Sequence, residues 1–433
     1  MLTRLYATNY RCLVNFEFQP TAKQLIIGRN GVGKTTVLDV LAMLRDFAVR
    51  GLPCEGYLGG KTRTRWQDVA EQRFELDVKG NKGEYRYTLV VDEWGDSMYG
   101  LGPGNPPRAR ANQETKTVPL SSLLRVGNPP RPRVKQETLD FDGKPLFRFA
   151  EGTIGLFNDR QRPSPSVEFP FDWHRSGLAT VEVGRKDNTK LTWFKRWLNQ
   201  LVQVQINPWA MSARSERESH DPARDLSNFA DWYRHLRLES GSAVFEAMAS
   251  LREAIPGLEA LDAKEAGLDV RVLQATMRSP NGVAVDLPFS DLSEGQRALI
   301  ALYVLLYCAV GEDRLLLVDE PDNFIALAEI QPWLLKLLDR VDEQNAQVIF
   351  VSHHPELLDQ LADQGGVLLD RPNGGETRVL PFTPPGDSGL KASEIIARGW
   401  EPGSESMYGL GPTEIKQLPK PIRHVIPTGR KRG

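Results

Sequence analysis

The string G-R-N-G-V-G-K-T over Gly28 to Thr35 follows the apolar run Lys23 to Ile27 and opens a helical stripe of Val37, Leu38, Leu41, Leu44 and Phe47. Gly28, Gly31 and Gly33 permit a tight backbone whose successive N–H groups converge on one anion. The positive end of the following helix adds to that field. In this context Gly28, Arg29, Asn30, Gly31, Gly33, Lys34, Thr35 and Thr36 form a triphosphate cradle. Lys34 reaches the β- and γ-phosphates, and the Thr35 hydroxyl ligates Mg²⁺. A second string, L-L-L-V-D-E-P at Leu315 to Pro321, ends an apolar run on two carboxylates. Asp319 belongs near the metal, directly or through water, and Glu320 where it can orient and deprotonate an attacking water. The expected ligands are therefore ATP and Mg²⁺, and the expected reaction is hydrolysis to ADP and phosphate.

Two further strings bear on the same chemistry. L-S-E-G-Q at Leu292 to Gln296 lies 258 residues beyond Lys34 and starts a helix rich in Ala and Leu. Ser293 supplies a capping hydroxyl, and Gly295 lets the backbone approach an anion; Glu294 and Gln296 complete the motif. The apolar run Val348 to Val351 leads into S-H-H-P-E. An imidazole at that strand tip can hydrogen-bond a γ-phosphate and sense its loss. His353 is the first choice, with His354 beside it as the rival. None of the six histidines has a paired metal-ligand spacing, so no zinc site is expected.

These residues need a sheet with strands ending side by side. Residues 2–10, 13–18 and 23–27 read as strands, 74–78 with 85–91 as a hairpin, and 133–149 as a second hairpin turning at Asp142-Gly143. Leu191 to Val202 and Leu226 to Leu238 have helical periodicity. Arg314 to Val318 and Gln347 to Val351 are apolar without alternation, as parallel strands buried on both faces require. The segment from Gly95 to Pro132 is rich in Gly, Pro and Arg and reads as an insertion. S-M-Y-G-L-G-P occurs at Ser97 to Pro103 and again at Ser406 to Pro412, inside a tail that ends R-K-R-G.

Composition narrows the class. No run reaches the 18 or more apolar residues of a membrane span, and three cysteines without C-x-x-C spacing fit a reducing cytoplasm. A formal charge of −2 argues against a globally basic nucleic-acid coat, though not against a local patch.

The motif set resembles the ABC-type ATPases of the SMC, RecF and OLD-like group. The opening T-R-L-Y-A-T-N-Y-R-C-L-V-N-F-E-F and the helix T-T-V-L-D-V-L carry the likeness beyond the four motifs. It covers roughly residues 1–93 and 265–370. The resemblance implies an α/β P-loop fold of ABC-ATPase head type: a mixed sheet, an N-terminal antiparallel β subdomain and a helical insert. The expected organisation is ATPase lobe I over 1–94, the insertion over 95–132, a β-hairpin plus helical insert over 133–264, ATPase lobe II over 265–400 and a basic tail over 401–433.

It further implies a homodimer closed around ATP. Each site would take Lys34, Asp319, Glu320 and His353 from one chain and Ser293 to Gln296 from the other. A glutamine contacting Mg²⁺ and the water is also implied, with Gln67 the choice and Gln72 the rival. After Pro321 the sequence reads D-N-F-I-A-L, departing from the group's usual pattern. No heptad run supports a coiled-coil arm.

The leading expectation is a cytoplasmic ATPase, without a membrane partner, whose dimer gates action on DNA or on an effector such as a nuclease in anti-phage defence or DNA repair. The alternatives are the nucleotide-binding subunit of a transporter and a slow or non-hydrolysing assembly scaffold. For DNA, the candidates are Arg108, Arg110, Lys116, Arg125, Arg131, Arg133 and Lys135.

Overall fold

A computed structural model describes residues 1–94, 131–160, 163–382 and 390–398. Both S-M-Y-G-L-G-P copies, the tail from 401 and all but the last two residues of the 95–132 insertion lie outside the described residues.

The motif-bearing strands are β3 (Lys23–Ile27), β15 (Leu315–Asp319) and β16 (Gln347–Val351). They sit in a six-stranded sheet with β10 (Val202–Val204), β17 (Gly366–Asp370) and β18 (Arg378–Pro381), in the order β10-β15-β16-β3-β17-β18. Every pair is parallel except β17 with β18. Successive side chains of a strand point to opposite faces. Accordingly Leu316, Val318, Val348 and Phe350 join Leu25 and Ile27 in one apolar cluster, while Leu315, Leu317, Ile349 and Val351 join Ile26 in the other. Full burial of each such side chain contributes roughly 1.5–3 kcal/mol. That double burial is why these runs show no alternation in sequence.

Helices fill both faces. On one side α1 (Lys34–Ala48) packs with the N-terminal sheet; on the other lie α6 (Glu294–Cys308), α7 (Leu327–Glu343) and α8 (Pro355–Gly365). Ser293 caps α6 through a reciprocal box: its Oγ accepts from the Gln296 backbone N–H at 3.2 Å, and Gln296 Oε1 accepts from the Ser293 N–H at 3.1 Å.

The N-terminal sheet is antiparallel throughout and runs β2-β1-β4-β5-β6-β7-β8-β9. Its members are β1 (Leu2–Thr8), β2 (Phe16–Phe18), β4 (Gln72–Gly80), β5 (Gly83–Trp94), β6 (Arg131–Phe141), β7 (Lys144–Ala150), β8 (Thr153–Leu156) and β9 (Val167–Pro170). Asn81-Lys82 and Asp142-Gly143 each take two consecutive positive φ values, the two-residue turn that matches strand twist. The second hairpin therefore turns where the sequence indicates. It does not stand apart with the helical segment, because β6 pairs along β5 and continues the first sheet.

Beyond it come α2 (Gly177–Thr180), α3 (Thr189–Asn199), α4 (Phe229–Glu239) and α5 (Gly241–Ala254). The helix read over Leu191 to Val202 stops at Asn199, and its last residue begins β10. A small sheet of β11 (Arg214–Ser215), β12 (Leu258–Glu265), β13 (Arg271–Arg278) and β14 (Ala284–Pro288) packs with α4 and α5; α9 (Ala392–Ala397) follows β18.

Parallel strands align their carboxyl ends, the edge where open α/β sheets place ligands. Asp319 pairs with Val351, and Val351 with Ile26, so Gly28, Glu320 and Ser352 emerge close together. The loop at Gly28 is tight enough to test. Its φ is 146°, and a Cβ there would come within 2.4 Å of the Leu369 carbonyl oxygen. Gly31, at φ 83°, has open space around the same position. Gly28→Ala should cost well over about 1 kcal/mol in urea unfolding, and more than Gly31→Ala, which bears backbone strain alone. Equal losses for the two would contradict this packing.

Candidate active site

A cleft of about 550 Å³ lies at the strand ends, lined by Asn30, Gly31, Gly33, Lys34, Thr35 and Thr36 from the loop and α1, with Glu320 from the end of β15. Side chains brace the loop from outside. Thr377 Oγ1 donates to the Val32 carbonyl at 2.7 Å, and Arg371 Nη1 to that of Gly31 at 3.2 Å. Gly33, at φ 106°, starts α1, so the free N–H groups of the first turn lie at the cleft.

Lys34 Nζ donates to the carbonyls of Gly28 at 2.6 Å and Arg29 at 3.1 Å. Burial lowers its pKa, opposed by the charges of Glu320 and Asp319. Thr35 Oγ1 donates to Asp319 Oδ2 at 2.9 Å. Burial raises the Asp319 pKa, against the hydrogen bond from Thr35. Asp319 Oδ1 is buried and has no hydrogen-bond partner among the described residues. A buried carboxylate oxygen left unpaired is costly. With the Thr35 hydroxyl beside it, this is a hard oxygen donor set that fits Mg²⁺.

Glu320 adopts φ 50°, a left-handed conformation costing a non-glycine residue of order 1–3 kcal/mol. Its N–H donates to the Val351 carbonyl at 2.7 Å, and its Oε2 accepts from Asn323 Nδ2 at 2.9 Å. The turn swings the chain off the strand, and the Glu320 side chain lines the cleft.

The two histidines separate. His354 caps α8, its Nδ1 accepting from the Glu356 N–H at 3.3 Å. His353 is exposed at the tip of β16. Partial burial of its ring against the neighbouring groups lowers its pKa below the ordinary 6.5, Lys34 lowers it further, and Glu320 and Asp322 oppose the shift. His353 thus lies within the electrostatic reach of the loop lysine and the strand-end carboxylate.

Ser293, Glu294, Gly295 and Gln296 do not line this cleft. They lie instead against the segment after Glu320: a Cβ on Gly295 would meet the Phe324 carbonyl oxygen at 2.9 Å. Gln67 follows Trp66 but is not among the cleft-lining residues. Gln72 is spent on backbone, its Nε2 donating to Asn9 O at 2.9 Å and its Oε1 accepting from the Gly59 N–H at 2.8 Å.

A third glutamine, Gln205, follows β10 beside the strand that ends in Asp319. Val204 of β10 pairs with Val318 in parallel register, which brings Gln205 level with Asp319. Arg224 Nη2 donates to Gln205 Oε1 at 3.4 Å and lies 3.8 Å from Asp319 Oδ2, while Arg224 Nη1 donates to Asp39 Oδ1 at 2.8 Å. The signal for Gln205 was the short alternation V-Q-V-Q-I over 202–206, hidden by the helical periodicity before it.

Of the basic residues considered for DNA, Arg108, Arg110, Lys116 and Arg125 lie outside the described residues. Arg131 meets Glu55 at 3.7 Å, Arg133 meets Asp92 at 2.6 Å and Lys135 meets Glu71 at 2.6 Å. Each is partnered by a carboxylate.

Residues 210–359, which include the L-S-E-G-Q, Asp319-Glu320 and His353 motifs, match the family described as AAA domain, putative AbiEii toxin, Type IV TA system. A stretch of 94 residues is 36% identical to the molybdate import ATP-binding protein MolC of Haemophilus influenzae, covering 21% of this chain and 36% of that protein. The chain thus spans about a third of the length of the curated relative it matches. Among solved structures, the SMC head domain from Thermotoga maritima is 12% identical, with 88% of this chain and 99% of that chain covered at a TM-score of 0.42. The SmcHead bound to the C-winged helix domain of ScpA is 12% identical, with 92% and 99% covered at a TM-score of 0.46. Over residues 210–359 the chain is therefore similar to an AAA-type ATPase domain, and its motifs sit at the strand ends of the sheet as the resemblance to an ABC-type ATPase head implies.

Proposed function

We propose that this chain binds and hydrolyses Mg²⁺-ATP, and that two copies close around two nucleotides to gate an associated effector. The observation that carries this reading is that Lys34, Thr35 and Glu320 line one cleft, with Asp319 bonded to Thr35 and His353 within the electrostatic reach of Lys34 and Glu320, while Ser293 to Gln296 do not line it. A signature motif that does not line its own chain's site is free to complete that of a second copy.

In this reading Lys34 and the loop N–H groups hold the β- and γ-phosphates. Thr35 and Asp319 hold Mg²⁺, with Gln205 rather than Gln67 alongside. The metal, when bound, supplies charge neutralisation on the phosphate oxygens. Glu320 orients a water and takes its proton as the water oxygen bonds to the γ-phosphorus and the bond to the β–γ bridging oxygen breaks, leaving ADP and phosphate. His353 donates a hydrogen bond from a neutral ring.

The family description names a toxin–antitoxin system, which favours defence over repair and a protein effector over DNA. The carboxylate partners of Arg131, Arg133 and Lys135 point the same way. Three buried free cysteines suit a cytoplasmic setting. The likeness to MolC keeps a transporter subunit as the second reading. The 258 residues between Lys34 and Leu292 count against it, because such subunits carry a much shorter lobe there.

Replacing Glu320 with Gln should reduce ATP hydrolysis by at least about a hundredfold, while ATP-dependent dimers persist in light scattering. Equal hydrolysis by wild type and variant would remove Glu320 from the reaction. Absence of hydrolysis in both would leave the non-hydrolysing scaffold in its place.

His353 gives a separate test by NMR titration. Because its folded pKa is depressed, the neutral ring persists below pH 6.5, and protonation is completed only at still lower pH. Lys34→Met should raise the midpoint by removing a neighbouring positive charge. A midpoint at or above 6.5, or one indifferent to Lys34, would contradict the placement.

A further inference from the structure

Gln205 has little of its own to hold it beside Asp319. It lies just past β10, a strand of three residues at the edge of the six-stranded sheet, bonded to β15 alone among the described strands. A strand so short, supported along one side, does little to fix the residue beyond its end.

The missing support comes from Arg224. The two residues are joined twice: the Gln205 N–H donates to the Arg224 carbonyl at 2.7 Å, and Arg224 Nη2 donates to Gln205 Oε1 at 3.4 Å. The guanidinium is anchored in turn on α1, where Nη1 donates to Asp39 Oδ1 at 2.8 Å. Asp39 sits one turn beyond Thr35 on the same helix face, and its side chain is only 13% exposed. It is held from two other directions, by Arg11 Nη1 at 2.6 Å and by Gln203 Nε2 at 3.3 Å. Arg50, just past α1, ties the same segment down a second time through Asp221 at 2.7 Å.

The rigid fork of a guanidinium aims its terminal nitrogens at different acceptors in one plane. Here one nitrogen takes Asp39, while the other faces Gln205 and lies 3.8 Å from Asp319 Oδ2. Arg224 thus bridges the start of α1 and the end of β15, with the glutamine amide on the bridge. An amide oxygen carries two lone pairs, so accepting from Arg224 leaves one for a cation. On the reading that places Gln205 alongside Mg²⁺, we infer that Arg224 is the positioning residue for the metal side of the site: anchored on Asp39, it holds the Gln205 amide beside Asp319.

The test combines hydrolysis by the full chain with electron paramagnetic resonance of Mn²⁺ bound with ADP in place of Mg²⁺. Gln205→Ala should lower kcat and change the Mn²⁺ signal by removing an oxygen from around the ion. Arg224→Ala should reproduce that changed signal and lower kcat by at least about tenfold, with KM for ATP little altered. The double variant should be no slower than the slower single one, because both remove the same arrangement. Arg224→Lys keeps the charge without the fork and should recover only part of the rate. A wild-type Mn²⁺ signal in Arg224→Ala, or losses that multiply in the double variant, would overturn the positioning role while leaving Gln205 at the metal. If Gln205→Ala keeps both the rate and the signal of wild type, Gln205 has no place beside Mg²⁺ and the role of Arg224 falls with it.

Discussion

The hydrogen bond from Thr35 to Asp319 joins the start of α1 to the end of β15 across 284 residues of sequence. It can form only because β15, β16 and β3 lie in parallel register, with their carboxyl ends level. The register in turn depends on burial of both faces of those strands in separate apolar clusters. A shift of one residue would exchange the two faces and carry Asp319 away from Thr35. Core packing and site geometry are therefore one constraint.

The electrostatics follow from the same placement. Lys34 and Asp319 are both largely withdrawn from water, and burial moves each pKa toward its neutral form. They are a positive and a negative group held near one another but not paired, since Lys34 donates to loop carbonyls and Asp319 accepts from Thr35. An anion cradle and a cation ligand sit side by side, which suits a metal-bound polyphosphate better than either ion alone. Arg224 extends the arrangement outward by tying Asp39 of α1 to Gln205 beside β10. This connects the site to the segment that leads into α4.

Much of this was legible in the sequence because the responsible interactions are local. Three glycines before Lys34, an apolar run before Asp319 and Asp-Gly between two alternating stretches each carry their structural reason within a few residues. Non-local pairing was less readable. Nothing in 133–149 says that β6 will extend β5 across the insertion, and α5 follows α4 after only Ser240. The position of Gln205 was hidden for the same reason: it follows a three-residue strand whose place is set only by its neighbour β15. That His354 caps a helix while His353 does not likewise requires coordinates to see.

The central claim is that the site is shared between two copies. It is tested most directly by mixing two inactive variants, Lys34→Ala and Ser293→Arg. In a two-fold dimer with sites completed in trans, each hybrid has one site with both partners intact, so an equimolar mixture should regain about a quarter of wild-type hydrolysis. If each chain uses its own signature motif, no combination contains an intact site. The mixture would then stay as inactive as its components, contradicting the account.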